Sequence, residues 1–276
     1  AAFDSTQAQF TLDQTYTTPT EHHNPLEPHA VIAIWDDAFS LSPTSKRLTL
    51  YDANQGVLAV PILLGLLLGL LPTQIAVFSP FVGGSFGSKA LPRPHVLLAA
   101  MAAKMLRGRA VKYAITRQHM FVSTGYRPAS HQHIRIAADA DGMLLAIEHH
   151  VVAPTARLKE YVDQTASPTR MMYATPNLHT THRAAPLDVP VGTFMRGPGE
   201  FTGMFALEVA LDELAAQIGM DPIELRIRNE PPVDPEDGKP FSTRNLVKCL
   251  RGGAIEFGWR QRNATPGARR DGEWLI

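Results

Sequence analysis

IAVFSPFVGGSFGSK, residues 75–89, is the stretch on which the fold class turns. Ile75 to Val82 is short, apolar and rich in β-branched and aromatic residues, so it reads as a buried strand, and it runs straight into a loop with three glycines, Gly83, Gly84 and Gly87. A doubly wound nucleotide-binding fold would carry GxGxxG at such a passage, and no GxGxxG follows a strand in this chain. It is not a P-loop either, because Ser88 replaces the glycine before the lysine and Ala90 the magnesium-binding Ser or Thr. Glycines let a backbone turn sharply and bring its N–H groups close to a ligand. By itself, GGSFGSK is therefore either a tight turn or a cradle for an anionic or strongly hydrogen-bonding cofactor.

Upstream, residues 1–60 alternate short apolar runs with turn formers: VIAIW, then the exposed loop DDAFSLSPTSK, then RLTLYD, a β-rich pattern. Val57 to Leu71, VLAVPILLGLLLGLL, is apolar throughout but shorter than the ~20 residues of a membrane-spanning helix and interrupted by Pro61, so a buried helix is expected. Downstream come a helix over about 95–106 and strands in VKYAITR and HIRIAADADGMLLAIEHHVVA, with Asp141-Gly142 as a hairpin turn. Residues 154–191 show no clear period. Leu207, Ala210, Leu211, Leu214 and Ile218 share one face of a helix over 205–218 that Gly219 can cap. Asp221-Pro222-Ile223-Glu224 supplies an N-cap, a first-turn proline and an acid placed to reach back, opening a helix that runs to about Asn229. Proline and acid content then rises over 230–237, as in a loop or domain border. Strands and helices thus interleave without a βαβ beat, and the fold class expected is α+β, with mixed sheets and packed helices.

Bulk properties narrow the function. Lys+Arg and Asp+Glu balance at 26 each in 276 residues, so no overall field draws the chain to nucleic acid or anionic membrane. Cys249 is the only cysteine, which excludes an intrachain disulfide and a cysteine-ligated iron–sulfur cluster built from these residues alone. The first residues, AAFDSTQAQFTLDQ, lack the basic and apolar regions of a signal peptide. No GxSxG elbow supports a hydrolase.

Two further stretches could carry chemistry. TFMRGPGEFTGMFALE, residues 193–208, sets Arg196 in a Gly-Pro-Gly turn ahead of a helix, either a rigidly presented cation or a surface arginine beside a helix start. EHHNPLEPH, residues 21–29, offers three histidines and two glutamates, but the spacing fits no zinc pattern and Pro25 and Pro28 prevent a helix from gathering ligands. A turn with satisfied polar groups is the expectation there. His149-His150 lie on opposite strand faces and make no site.

Taken in order, EHHNPLEPHA (21–30), YDANQG (51–56), SPFVGGSFGSK (79–89) and TFMRGPGEFTGMFALEVALDELAAQIGMDPIELRIRN (193–229) resemble the molybdopterin-binding large subunits of the xanthine dehydrogenase/aldehyde oxidase family. DPEDGKPFSTRNLVKCLRGGAIEFGW (234–259) further resembles the continuation found in bacterial periplasmic aromatic-aldehyde oxidoreductases. The resemblance implies a piece of such a subunit, with an N-terminally incomplete first cofactor domain over 1–230 and the truncated start of a second over 231–276. It implies that Gln55, Gly83, Gly84, Ser85, Phe86, Gly87, Met195, Arg196 and Gly197 contact the cofactor. Of these, Gln55, Phe86 and Arg196 would form the environment of the molybdenum centre.

The cofactor so implied is molybdopterin, as the cytosine dinucleotide, with 2Fe-2S clusters and FAD on separate partner subunits. The reaction implied is oxidation of an aldehyde to a carboxylic acid, with water as the oxygen source. Ala90 stands where purine-oxidising members carry a glutamate, and Pro198 where they tend to carry an aromatic, so an aldehyde is favoured over an N-heterocycle. Ser85 replaces a usual glycine and demands an ordinary backbone angle or strain. The resemblance implies that the family's general-base glutamate comes from a region beyond the end of this chain, so no catalytic residue is nominated here. By itself the polypeptide is expected to hold no stable cofactor, and a non-catalytic scaffold is the reading from another class. The compartment stays open between cytoplasm and periplasm, the latter through a signal on a partner subunit.

Overall fold

Two four-stranded sheets, each with helices on one face, make up the body of the chain in the computed structural model, which describes Phe3 and residues 7–38, 45–265 and 267–275. Residues 39–44 of the expected loop between VIAIW and RLTLYD lie outside the described residues. In chain order the elements are β1 (Phe10–Thr18), β2 (Ala30–Trp35), β3 (Leu48–Asp52), α1 (Ala59–Leu68), β4 (Ile75–Phe78), α2 (Pro94–Leu106), β5 (Val111–Ala114) and α3 (Arg117–Ser123). They continue with β6 (Ser130–Ala138), β7 (Leu144–Ala156), α4 (Ser167–Met171), β8 (Leu178–Leu187), α5 (Glu200–Ile218), α6 (Pro222–Arg228) and α7 (Leu246–Phe257). The architecture is α+β with mixed sheets.

The first sheet has the order β1-β6-β7-β8, antiparallel except for the parallel pair β7/β8. Alternation along β1 and β6 turns Leu12, Ile134 and Ile136 inward, against Leu207, Leu211 and Leu214 of α5. The β6–β7 connection turns as expected, with Gly142 at φ 78° and the Asp139 carboxylate accepting the amides of Asp141 and Met143. α5 begins at Glu200, five residues before the apolar period becomes visible. Its first turn packs on small residues: a Cβ at Gly203 would lie 1.8 Å from the Thr165 carbonyl oxygen, so only glycine lets the helix seat there. Gly219 caps α5 in the left-handed conformation, and Asp221 caps α6 by accepting the Ile223 amide at 2.9 Å, both as expected. The reach-back from Glu224 is not made. α3, capped by Thr116, was not foreseen.

The second sheet has the order β4-β3-β2-β5, and α1 and α2 pack on one of its faces around Val31, Ala33, Leu48 and Leu50. Two expectations are corrected here. The apolar run 57–71 is not a buried helix: α1 sits on a single sheet face, burying Val60, Leu64 and Gly65, while Leu58 (84% exposed), Leu66 (79%) and Leu67 (65%) face outward. The strand read over 75–82 is only Ile75–Phe78, at the sheet edge, so just Ile75 is buried.

One feature of this sheet positions the site. β3 and β4 are parallel, so the segments leaving their C-terminal ends, 53–56 and 79–89, emerge side by side. The Asn54 amide donates to Ser79 Oγ at 3.0 Å and the Gln55 amide to the Lys89 carbonyl at 2.9 Å, stitching the two together.

Candidate functional site

Gly84 and Gly87 adopt φ 89° and 106°, as a reversing loop requires, but the residue between them that takes the left-handed conformation is Phe86, at φ 55°. An aromatic residue at positive φ carries about 1–2 kcal/mol of strain and persists only where its surroundings over-determine it. Ser85 keeps an ordinary backbone angle, so the replaced glycine imposes no strain at that position. Its hydroxyl instead donates to Gln55 Oε1 at 2.5 Å and accepts the Lys89 amide at 3.1 Å.

Gln55 Oε1 also accepts the Gly87 amide at 3.2 Å. A backbone N–H donates and never accepts, which fixes the orientation of the side-chain amide: oxygen toward the loop, nitrogen away. Nε2, two donors on an exposed side chain, has no partner among the described residues. Phe86 is 45% exposed, with its ring edge over Gly84.

The second loop meets the first directly. The Arg196 amide donates to the Phe86 carbonyl at 3.0 Å, and Gly87 lies so near that a Cβ there would be 2.2 Å from the Phe194 carbonyl oxygen. Arg93 spans both, donating through Nε to the Ser88 carbonyl (2.8 Å) and through its terminal nitrogen to Thr193 Oγ1 (3.0 Å). Gly197 and Gly199, at φ 67° and 86°, turn the chain into α5. The Arg196 guanidinium is exposed and unpaired among the described residues, while Met195 is half-buried. Hydrogen bonds thus link Gln55, Ser85, Phe86, Gly87 and Arg196 into one cluster, in which Gln55, Phe86 and Arg196 are exposed and Ser85 is buried. Gly83 and Gly84 lie at the start of the first loop, against Glu27 and Pro25, and Gly197 follows Arg196 in the turn into α5.

The stretch 21–29 runs between the two loops, bending at Asn24 (φ 39°) and at Leu26–Glu27, and its polar groups serve them. Glu21 pairs with Arg127 at 2.6 Å, and Arg127, only 3% exposed, donates in turn to the carbonyls of Met195 (3.2 Å) and Arg196 (2.5 Å). His23 Nε2 contacts the Phe194 carbonyl (2.8 Å) and His29 Nε2 the Ser88 carbonyl (3.3 Å). Burial lowers the pKa of both rings, His29 to about 4, so each is neutral at pH 7 and donates through Nε2–H. No group of three or more His, Cys, Asp or Glu able to hold a metal exists among the described residues. The expectation of satisfied polar groups holds in part, since Nδ1 of His22, His23 and His29 is buried without a protein partner.

These supporting groups, Arg93 and Arg127 above all, were missed in the sequence. Each acts on a carbonyl, hydroxyl or carboxylate 5–106 positions away, and no local pattern announces such pairs. His149, by contrast, is a core residue, fully buried between Thr169 Oγ1 (2.7 Å) and Gln132 Oε1 (3.1 Å). Glu208 is likewise structural, held by Arg226 at 2.6 Å and Tyr173 at 2.8 Å. A cleft of about 660 Å³ between α6 and α7 is lined by none of the loop residues.

Comparison with known proteins identifies the family. The family described as molybdopterin cofactor-binding domain matches residues 1–230. The aldehyde oxidoreductase molybdenum-binding subunit PaoC of Escherichia coli (strain K12) is 44% identical over 273 residues, covering 98% of this chain and 36% of that protein. The aldehyde oxidoreductase of Megalodesulfovibrio gigas is 30% identical over 259 residues, 88% of this chain and 27% of that one. Among solved structures, the aldehyde oxidoreductase from Desulfovibrio gigas superposes with a TM-score of 0.78 at 27% identity, over 95% of this chain and 29% of that one. Quinoline 2-oxidoreductase from Pseudomonas putida 86, at 23% identity and a TM-score of 0.80 over 94% of this chain and 34% of that one, shares the fold. The chain spans about a third of the length of these curated relatives. With its two glycine loops joined at Phe86 and Arg196, and residues 1–230 matched throughout, the chain belongs to the molybdopterin cofactor-binding domain family.

Proposed function

We propose that this chain is the part of a molybdenum hydroxylase subunit that supplies one wall of the cofactor site, in an enzyme that oxidises aldehydes to carboxylic acids with water as the oxygen source. One observation carries the reading: Gln55 Oε1 is held by Ser85 and Gly87, which leaves Nε2 free beside an exposed Phe86 and an unpaired Arg196. The residues present fit a molybdopterin. They offer glycine-permitted close approach, a neutral amide donor, an aromatic edge and a cation, suited to an oxygen-rich, anionic organic group. They offer no ligand cluster of their own, so the metal would be held by its pterin. When bound, that cofactor would supply the two-electron redox chemistry. Gln55 would donate to one of its oxygens, Phe86 would limit access of water and shape the pocket, and Met195, Arg196 and Gly197 would close the opposite side.

An aldehyde is favoured over a purine because no acidic side chain follows the loop lysine to receive a heterocycle. Ala90 follows the loop lysine, and Leu26 and Phe81, 90% and 82% exposed, flank it. The cytosine dinucleotide form of the cofactor, and partner subunits carrying 2Fe-2S clusters and FAD, belong to the same proposal, supported by the aldehyde oxidoreductase names of the relatives. So does the division into a first cofactor domain over 1–230 and the beginning of a second over 231–276. The compartment is proposed as cytoplasm, or periplasm through a partner's signal. The test is to produce the full-length polypeptide with its partner subunits, measure molybdenum content, and compare turnover of benzaldehyde with that of hypoxanthine in isotopically labelled water. Labelled benzoate from a molybdenum-loaded protein is expected. Loaded protein that turns over hypoxanthine and not benzaldehyde refutes the substrate class, and full-length protein without molybdenum refutes the function.

A further inference from the structure

Glu27 holds both ends of the first loop with one carboxylate. Its Oε2 accepts the Gly83 amide at 2.9 Å and the Lys89 ammonium at 2.6 Å, and its own amide donates to the Gly83 carbonyl at 2.9 Å. The approach is close enough to exclude any side chain at Gly83, where a Cβ would lie 2.5 Å from that of Glu27. Lys89 is fully buried, and Glu27 is its ion-pair partner. A loop whose first and last residues are pinned to the same oxygen cannot lengthen, and Phe86 at its apex has φ 55°. Freed ends would let Phe86 relax to negative φ, because nothing local favours the left-handed form for an aromatic residue. Such a change swings the Phe86 carbonyl, and that carbonyl accepts the Arg196 amide of the second loop.

We infer that Glu27 is a positioning residue, whose carboxylate fixes the ends of the 83–89 loop and thereby sets both the Phe86 conformation and the spacing to the Arg196 loop. Its consequence for turnover rests on the proposed cofactor site, whereas its consequence for loop order does not. The second loop is secured by the same segment six residues earlier, where Glu21 orients Arg127 onto the Met195 and Arg196 carbonyls. Residues 21–27 therefore tie the two loops to one segment.

The test must separate the acceptor from the charge, because removing Glu27 alone leaves a buried unpaired ammonium that would destabilise the whole fold. Two double variants of the full-length protein do so: Glu27→Gln with Lys89→Met, which keeps an oxygen for the Gly83 amide, and Glu27→Leu with Lys89→Met, which has none. Amide hydrogen exchange in protein prepared without molybdenum reads the loops directly. Relative to the glutamine pair, the leucine pair is expected to exchange about tenfold faster at Gly87 and Arg196, the effect of one lost hydrogen bond. Protection in β6 and α5 should be equal in the two. In loaded enzyme the leucine pair is expected to lose kcat with molybdenum content retained. Equal exchange at Gly87 and Arg196 in the two variants overturns the inference, and so does faster exchange spread evenly through β6 and α5. If the exchange difference is found but full-length protein holds no molybdenum, the positioning role stands and the cofactor reading falls.

Discussion

Replacing Gly87 with alanine strikes the point where the two loops touch. At φ 106° the new residue is strained whatever the space around it, at about 1–2 kcal/mol. Its Cβ would also sit 2.2 Å from the Phe194 carbonyl oxygen and 3.4 Å from Met195 Cα, both backbone atoms that no rotamer change can move. Restoring ordinary contact requires the loops to part by about 1 Å, which breaks or stretches the Arg196–Phe86 backbone bond and the Gly87–Gln55 bond. At about 0.5–1.5 kcal/mol each, these add to a total of about 3 kcal/mol. Gly69→Ala is the internal control: φ is 69°, but no atom lies within 4 Å of its Cβ, so only the backbone strain is felt. The difference of about 2 kcal/mol appears as about thirtyfold faster exchange of the Arg196 amide in Gly87→Ala than in Gly69→Ala. In the full-length protein, molybdenum content should fall in the first and not in the second. Gly87→Ala with control-like exchange and full molybdenum content would refute the reasoning that close approach of these loops builds the site.

Three further outcomes follow from the same geometry. Gln55→Glu keeps an acceptor for Ser85 and Gly87, so the melting temperature should change little. It replaces the free donor with an acceptor, so turnover in the loaded enzyme should drop by about 10²-fold, and turnover within twofold of the parent would contradict the role given to Nε2. Asp221→Ala removes the α6 cap together with the bonds to Trp259 Nε1 (2.8 Å) and Arg262 (3.0 Å), and should cost about 2 kcal/mol in urea unfolding, with an earlier transition in tryptophan fluorescence. A single coincident transition at the parent midpoint argues against it. Burial holds the His149 ring at a pKa of about 4, below the ordinary 6.5, so the unfolded chain takes up a proton that the folded chain refuses as pH falls through 6.5. Stability from this group is complete above pH 6.5 and declines by about 1.4 kcal/mol per pH unit down to about 4. His149→Gln should flatten that slope, and an identical pH dependence in the variant assigns the acid sensitivity elsewhere.

What could be read in the sequence was local. Asp221-Pro222 announced a helix start because the cap and the proline act within one turn. The hairpin at Asp141-Gly142 and the leucine face of α5 were legible for the same reason: period and turn chemistry are properties of neighbours. GGSFGSK was legible as a loop, but not its conformation, since Phe86 takes positive φ along with Gly84 and Gly87. α5 was seen late because its first turn buries Thr202 and Gly203, which carry no apolar signal. Composition predicts a buried α1 because it measures hydrophobicity, whereas burial depends on whether a second layer is there to cover it. The segment 21–29 was the least legible of all. Its glutamates and histidines act on Lys89, Arg127, Phe194 and Ser88, between 59 and 171 positions away, and only the folded chain brings them together.

The arrangement of Gln55 against the two loops is tested most directly by a crystal structure of the molybdenum-loaded full-length protein. Gln55 Nε2 is expected within hydrogen-bond distance of an oxygen of the bound cofactor, with Phe86 and Arg196 on the same cavity and the Arg196–Phe86 backbone bond intact. Cofactor bound elsewhere, with Gln55 Nε2 in solvent, contradicts the account.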